Sequence, residues 1–252
     1  MSLVNALDFS GKRVLVCGGS DGIGYGVATA FFEAGATVSI TGTRSANSYD
    51  NDFSNFTYHQ LNVQDEVTIT ELASQFDALD VLANCVGAVL WKKAEFERSG
   101  FEKILSINLS GAMQLCTDFY PLLAQSKGSI INIDSVASIN AAVNNPAYSA
   151  SKAGLVQLTK VLAKKMGTRR RQGKYGGARY DSDQDDSQSV RTRPGSTVQQ
   201  NKPYSAVWQT TRHCWRRIIF GLATGGLRHR TATCGGRRAY PITPYPKKLR
   251  SA

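Results

Sequence analysis

Short apolar runs alternate with helically spaced apolar positions through the first two thirds of the chain. KRVLVCGG, residues 12–19, is an apolar run closed by glycine, the pattern of a strand buried on both faces. GIGYGVATAFFEAG (22–35) follows with apolar residues at helical spacing and a glycine stop. Further strands are predicted in ATVSITG (36–42), FTYHQLNV (56–63), LDVLANCVG (79–87) and GSIINIDS (128–135). Further helices are predicted in EVTITELASQF (66–76), GFEKILSINLSGAMQLCTDFYPLLAQSK (100–127) and NPAYSASKAGLVQLTKVLAKKM (145–166). Pro121 should kink the second of these, and Pro146 suits the first turn of the third. Strands alternating with helices imply parallel βαβ units, hence an α/β fold with a doubly wound parallel sheet.

At Gly167 the pattern stops. GTRRRQGKYGGARYDSDQDD carries no apolar periodicity, and arginine dominates. The formal net charge of +11 belongs to this second part. Residues 1–166 hold 12 Lys+Arg against 15 Asp+Glu, whereas residues 167–252 hold 18 against 4. The chain therefore divides into a patterned region, 1–166, and a basic, low-pattern tail, 167–252. A basic average would suggest nucleic acid or membrane as partner, but the patterned region is slightly acidic and gives no such signal.

Five cysteines without C-x-x-C spacing fit free thiols in a reducing compartment better than a disulfide framework. MSLVNALDFSGKR shows no charged segment followed by an apolar one, and the longest apolar stretches fall short of a membrane span. A cytoplasmic protein without membrane attachment is expected. In the tail, His213, Cys214, His229 and Cys234 match no familiar zinc spacing, so no metal is expected. Tail arginines interspersed with Tyr204, Trp208, Trp215, Tyr240 and Tyr245 could hold single-stranded nucleic acid by charge and stacking. Any polycation does as much without sequence preference, so no specific nucleic-acid partner is expected.

Chemistry concentrates in three places. CGGSDGIG lies between the first strand and the first helix, where Gly18, Gly22 and Gly24 would let the backbone turn tightly and approach a pyrophosphate at the helix N-terminus. The second strand ends in TGTR, without the acid that would bind a ribose 2′-hydroxyl. Arg44 could instead pair with a 2′-phosphate, which favours NADP(H) over NAD(H). Asp21, inside the glycine loop, argues mildly the other way. Finally, YSASK sets Tyr148 and Lys152 one helical turn apart on the same face. An ammonium beside a phenol favours the phenolate, suiting the phenol to exchange a proton with an alcohol or carbonyl oxygen. Ser135 ends the fifth strand, where ligands of open α/β sheets bind.

Taken together, GGSDGIG, LNV, NCVG, SINLSG, IDSVAS and YSASK occur in the order and at about the spacing of the short-chain dehydrogenase/reductase family. Residues 10–166 resemble its classical branch, including its 3-oxoacyl thioester reductases. The resemblance implies a Rossmann-type fold and NAD(P)-dependent interconversion of a ketone and a secondary alcohol. Tyr148 would be the general acid/base. Lys152 would hold the nicotinamide ribose and tune the tyrosine, Ser135 would position the substrate carbonyl, and Asn108 would anchor a water in the proton relay. For the cofactor it implies Gly18, Ser20, Gly22, Ile23 and Gly24 in the loop, Asn62 and Val63 at the adenine, and Asn84 and Gly87 along the cleft. Dimers or tetramers built through the two long helices are common in the family. Two departures, Cys17 for threonine and NCVG for N-N-A-G, keep small residues. Reductases of sugars, steroids and xenobiotic carbonyls share these residues, so the small-molecule substrate is not chosen by them.

The resemblance also says what should follow residue 166: a sixth strand ending near proline-glycine, a substrate loop, a helix and a seventh strand. None is legible. Back-translating GTRRRQGKYGGARYDS and reading from the second base of each codon makes A-R-D-G-V-K-V-N-M-V-A-P-G-T-I-L available. The same shift on WQTTRHCWRRIIFGLATGGLRHRTATCGGRRA allows an ending in V-T-G-Q-L-L-V-V-D-G-G. The tail thus reads as a frameshift product. On this reading strands six and seven are missing or disordered, the fifth strand is an open edge, and activity is impaired, down to an inactive fragment in the limit.

Overall fold

The computed structural model describes residues 8–168, 205–209 and 232–233. Seven strands form one sheet: β1 (Arg13–Cys17), β2 (Thr37–Gly42), β3 (Thr57–Gln60), β4 (Val81–Asn84), β5 (Ser129–Asp134), β6 (Ser205–Gln209) and β7 (Ala232–Thr233). Their order is β3-β2-β1-β4-β5-β6-β7, and every neighbouring pair is parallel. The helices are α1 (Gly22–Glu33), α2 (Glu66–Ser74), α3 (Arg98–Leu105), α4 (Gly111–Asp118), α5 (Tyr120–Ser126) and α6 (Pro146–Thr168). This is the doubly wound parallel sheet expected from the alternation of strands and helices.

β1 shows why the apolar runs lack polar alternation. Val14 and Val16 join a core with Phe31 of α1, Val38 and Ile40 of β2, and Ile131 and Ile133 of β5. Leu15 and Cys17 join the opposite core with Ile69 and Leu72 of α2, Leu115 of α4 and Phe119. Successive side chains feed opposite faces, and helices cover both, so each position is apolar. The strand order reverses between β1 and β4. A crevice at such a switch point, beyond the carboxyl ends of the strands, is where ligands bind in sheets of this kind.

One expectation is corrected. The single long helix over 100–127 is three helices. α3 and α4 are joined by one wide turn, Ser106–Ser110, in which the Gly111 N–H bonds the Ser106 carbonyl. The break comes at Phe119, just ahead of Pro121, which sits in the first turn of α5 where its missing N–H costs nothing. At the sheet edge, where strands six and seven were expected to be missing or disordered, two short segments pair: β6 runs beside β5 from the Ile130–Ser205 pair to the Asp134–Gln209 pair, and β7 adds two residues. An apolar strand with a free row of N–H and C=O groups takes up a partner, and SAVWQ holds the Val and Trp that suit a strand. The tail histidines and cysteines lie outside the described residues.

Candidate functional site

The loop from β1 to α1 is built on close backbone approach. Gly18 takes φ +75°, and a Cβ there would stand 3.2 Å from the backbone of Cys85 and Val86 at the end of β4. A Cβ on Gly24 would come within 1.9 Å of the Gly18 carbonyl oxygen. α1 therefore begins directly against the loop, a spacing open only to glycine. The Gly18 N–H donates to Thr41 Oγ1 at 3.0 Å, tying the loop to β2. Asp21 caps α1, its Oδ1 accepting the Gly22 N–H at 2.6 Å.

Two clefts open along the carboxyl ends of the strands. The larger, of about 570 Å³, is lined by Gly18, Ser20, Gly22, Ile23 and Gly24 on one side and by Asn62 and Val63 on another. The smaller, of about 450 Å³, is lined by Ser135, Tyr148 and Lys152. They share Ile23, Cys85, Gly87 and Ala88 as a common wall. The structure thus gathers eleven of the fourteen sequence-derived positions around two adjoining cavities.

The other three lie outside both linings. Asn108, in the wide turn between α3 and α4, is buried. Its Oδ1 accepts the Ala88 N–H at 2.7 Å, and its Nδ2 donates to the Ala88 carbonyl at 2.9 Å and to Ser151 Oγ at 3.0 Å. Asn84 is buried between strands, its Nδ2 donating to Asn132 Oδ1 at 3.3 Å. Arg44 is exposed, with its guanidinium 4.2 Å above the ring of Tyr49.

The charges of the smaller cleft are set by burial. Lys152 is 3% exposed. Its Nζ donates to the Ile133 carbonyl at 2.9 Å and stands 5.9 Å from the centre of the Tyr148 ring. Burial pushes its ammonium down to about 8, against the opposing pull of Asp134 and Cys85. Cys85 is pushed up to about 12, chiefly by burial. Ser135 follows β5 directly and accepts the Ala137 N–H at 3.2 Å, which fixes its hydroxyl oxygen over a short helical turn. Asp134 beside it accepts from Ser138 Oγ at 2.7 Å.

Two residues not singled out from the sequence belong to the site. Tyr49 lines the larger cleft, and its oxygen accepts the Arg44 N–H at 3.1 Å. A Cβ on Gly42 would lie 2.6–2.7 Å from the hydroxyls of Tyr49, Ser20 and Tyr58, so three hydroxyls converge at the end of β2. Burial raises the Tyr49 phenol, but hydrogen bonds with Ser20, Arg44 and Thr43 outweigh it and bring the group down to about 7. The aromatic density of YDNDFSNFTY was the available signal. The second residue is Glu95, in KKAEFERSG, which is fully buried. Among the described residues, no cluster of three His, Cys, Asp or Glu could hold a metal ion, and no helix is long and apolar enough to cross a membrane.

Residues 12–170 match the family model described as short chain dehydrogenase. An L-fucose dehydrogenase of Oryctolagus cuniculus is 32% identical over 163 residues, covering 62% of this chain and 57% of that protein. A 3-oxoacyl-[acyl-carrier-protein] reductase of Chlamydia muridarum is 28% identical over 174 residues, covering 63% and 69%. Among solved structures, the NADP active-site complex of Pseudomonas aeruginosa RhlG superposes with a TM-score of 0.55 at 29% identity, covering 63% of this chain and 68% of that one. The matched region therefore spans between just over half and about two thirds of the length of these relatives.

Proposed function

The chain belongs to the short chain dehydrogenase family, and from that premise we propose that it is an oxidoreductase interconverting a ketone and a secondary alcohol with NADP(H) in preference to NAD(H). The observation that carries the reading is the junction of the two clefts: Ser135, Tyr148 and Lys152 line one, and it shares a wall with the cleft of the glycine loop.

The residues present fit a dinucleotide. The close-packed glycines expose backbone at the N-terminus of a twelve-residue helix, which favours an anionic pyrophosphate. Asn62 and Val63 would flank the adenine, and Lys152 would hold the ribose next to the nicotinamide. Arg44 stacked on Tyr49 supplies a cation beside the larger cleft, which supports a 2′-phosphate there. When bound, the nicotinamide supplies or accepts the hydride at the carbonyl carbon. Tyr148 gives its phenolic proton to the carbonyl oxygen in reduction and takes it back in oxidation. Ser135 stabilises charge developing on that oxygen. Asn108 holds the Ala88 segment against α6 and anchors a water for the proton relay. Val89, Trp91, Ala137 and Ala142 make one side of the smaller cleft apolar, which suits an acyl or alkyl ketone better than a polyol. Pairing through α3–α4 and α6 and a cytoplasmic location complete the proposal.

The test is nucleotide titration by fluorescence followed by a ketone panel. NADPH is expected to bind more tightly than NADH. Tyr148→Phe is expected to cut carbonyl reduction by about 100-fold or more without changing nucleotide affinity. Undiminished reduction in that variant overturns the assignment.

The tail bears on how much activity remains. We propose that residues from about Gly167 are translated out of frame. Thirty-six residues separate Thr168 of α6 from Ser205 of β6, where connections in βαβ units usually take about two to six. The frame-shifted reading puts a family-type strand directly after α6 instead.

A further inference from the structure

Glu95 is 0% exposed. Polar oxygens so enclosed need hydrogen-bond partners. Its Oε1 accepts the Leu90 N–H at 3.0 Å and Asn145 Nδ2 at 3.3 Å, and its Oε2 accepts the Tyr148 N–H at 2.9 Å. All three donors are neutral. Tyr148 lies in the first turn of α6, whose N–H groups have no partner within the helix. The Glu95 side chain therefore supplies a partner that the start of α6 lacks within the helix.

The same contacts reach the opposite wall of the smaller cleft. Asn145 Nδ2 also donates to the Leu90 carbonyl at 3.2 Å. Val89 and Trp91, either side of Leu90, line that cleft together with Asn145 and Tyr148. Asn108 joins Ala88 to Ser151 one step further along both elements. A single clasp would let α6 pivot about it. Two clasps, at Ala88–Ser151 and at Leu90–Tyr148, fix both its slide and its rotation. We infer that Glu95 is a positioning residue for the reaction: it holds the backbone of Tyr148 and the facing Leu90 segment at the spacing that proton transfer needs. This rests on the reading of Tyr148 as the acid/base.

The experiment compares the full chain with Glu95→Gln, Asn145→Ala and Tyr148→Phe. Glutamine keeps the volume of glutamate but turns one acceptor into a donor, so the Leu90 and Tyr148 N–H groups cannot both be accepted. Hydrogen exchange at those two amides is expected to quicken in Glu95→Gln. Its kcat for carbonyl reduction is expected to fall about 10- to 100-fold, the cost of a misplacement near 1 Å, while NADPH affinity stays within about threefold. Asn145→Ala, which spares both carboxylate bonds to backbone, should fall less. A kcat unchanged in Glu95→Gln while Tyr148→Phe is inactive overturns this inference alone. So does a fall in kcat matched by equal losses of NADPH affinity and melting temperature, which would mark a merely structural role. Reduction that survives Tyr148→Phe overturns the reading of Tyr148 and this inference together.

Discussion

Lys152 shows how one side chain couples fold to function. Its folded-state value near 8 lies below the 10.5 of a free lysine, because burial outweighs the pull of Asp134 and Cys85. Between about pH 8 and 10.5 the unfolded chain therefore binds more protons than the folded one, and stability rises with pH across that window. Below it the folded chain bears the full cost of the enclosed charge. Thermal melts of the nucleotide-free protein from pH 7 to 10 are expected to show this rise, and Lys152→Met should flatten it relative to the parent. Sequence spacing showed that Tyr148 and Lys152 share a helix face. It could not show that the amine is enclosed, since burial comes from Val86 and Ile133 on other elements. Glu95 was illegible for the same reason: two of its three partners lie 50 and 53 residues away, and the segment around it, KKAEFER, is rich in charge.

Among the elements, β1, its loop and α1 were the most legible, because glycine spacing and apolar runs there report local geometry directly. That geometry leaves no slack. A methyl at Gly24 would stand 1.9 Å from the Gly18 carbonyl, so Gly24→Ala must push the loop and α1 apart. Differential scanning calorimetry is expected to show a loss of about 2 kcal/mol or more, and nucleotide titration a parallel loss of affinity. The segment from 98 to 126 was less legible. Its helical periodicity runs on through the wide turn and past Phe119, since the buried face is continuous while the hydrogen-bond ladder is not. β6 was not legible at all. SAVWQ stands in a basic tail without periodicity, and only the open side of β5 gives it a place.

For the whole molecule, the frame of residues 167–252 decides how much of the family's architecture is present. Resequencing the coding DNA through codons 160–170 is expected to show a missing or extra base; an intact frame there ends that proposal. A frame-restored chain should melt more cooperatively and turn over ketones faster than the present one, as followed by calorimetry and NADPH oxidation. The two clefts meanwhile carry a consequence of their own. Because they adjoin along Ile23, Cys85, Gly87 and Ala88, each offers room for a fragment beside the other. An adenosine phosphate and a small ketone should occupy the molecule at once without competing. A single compound joining the two across Gly87 and Ala88 would gain the avidity of linked ligands, on the order of 10²–10⁴ over either part.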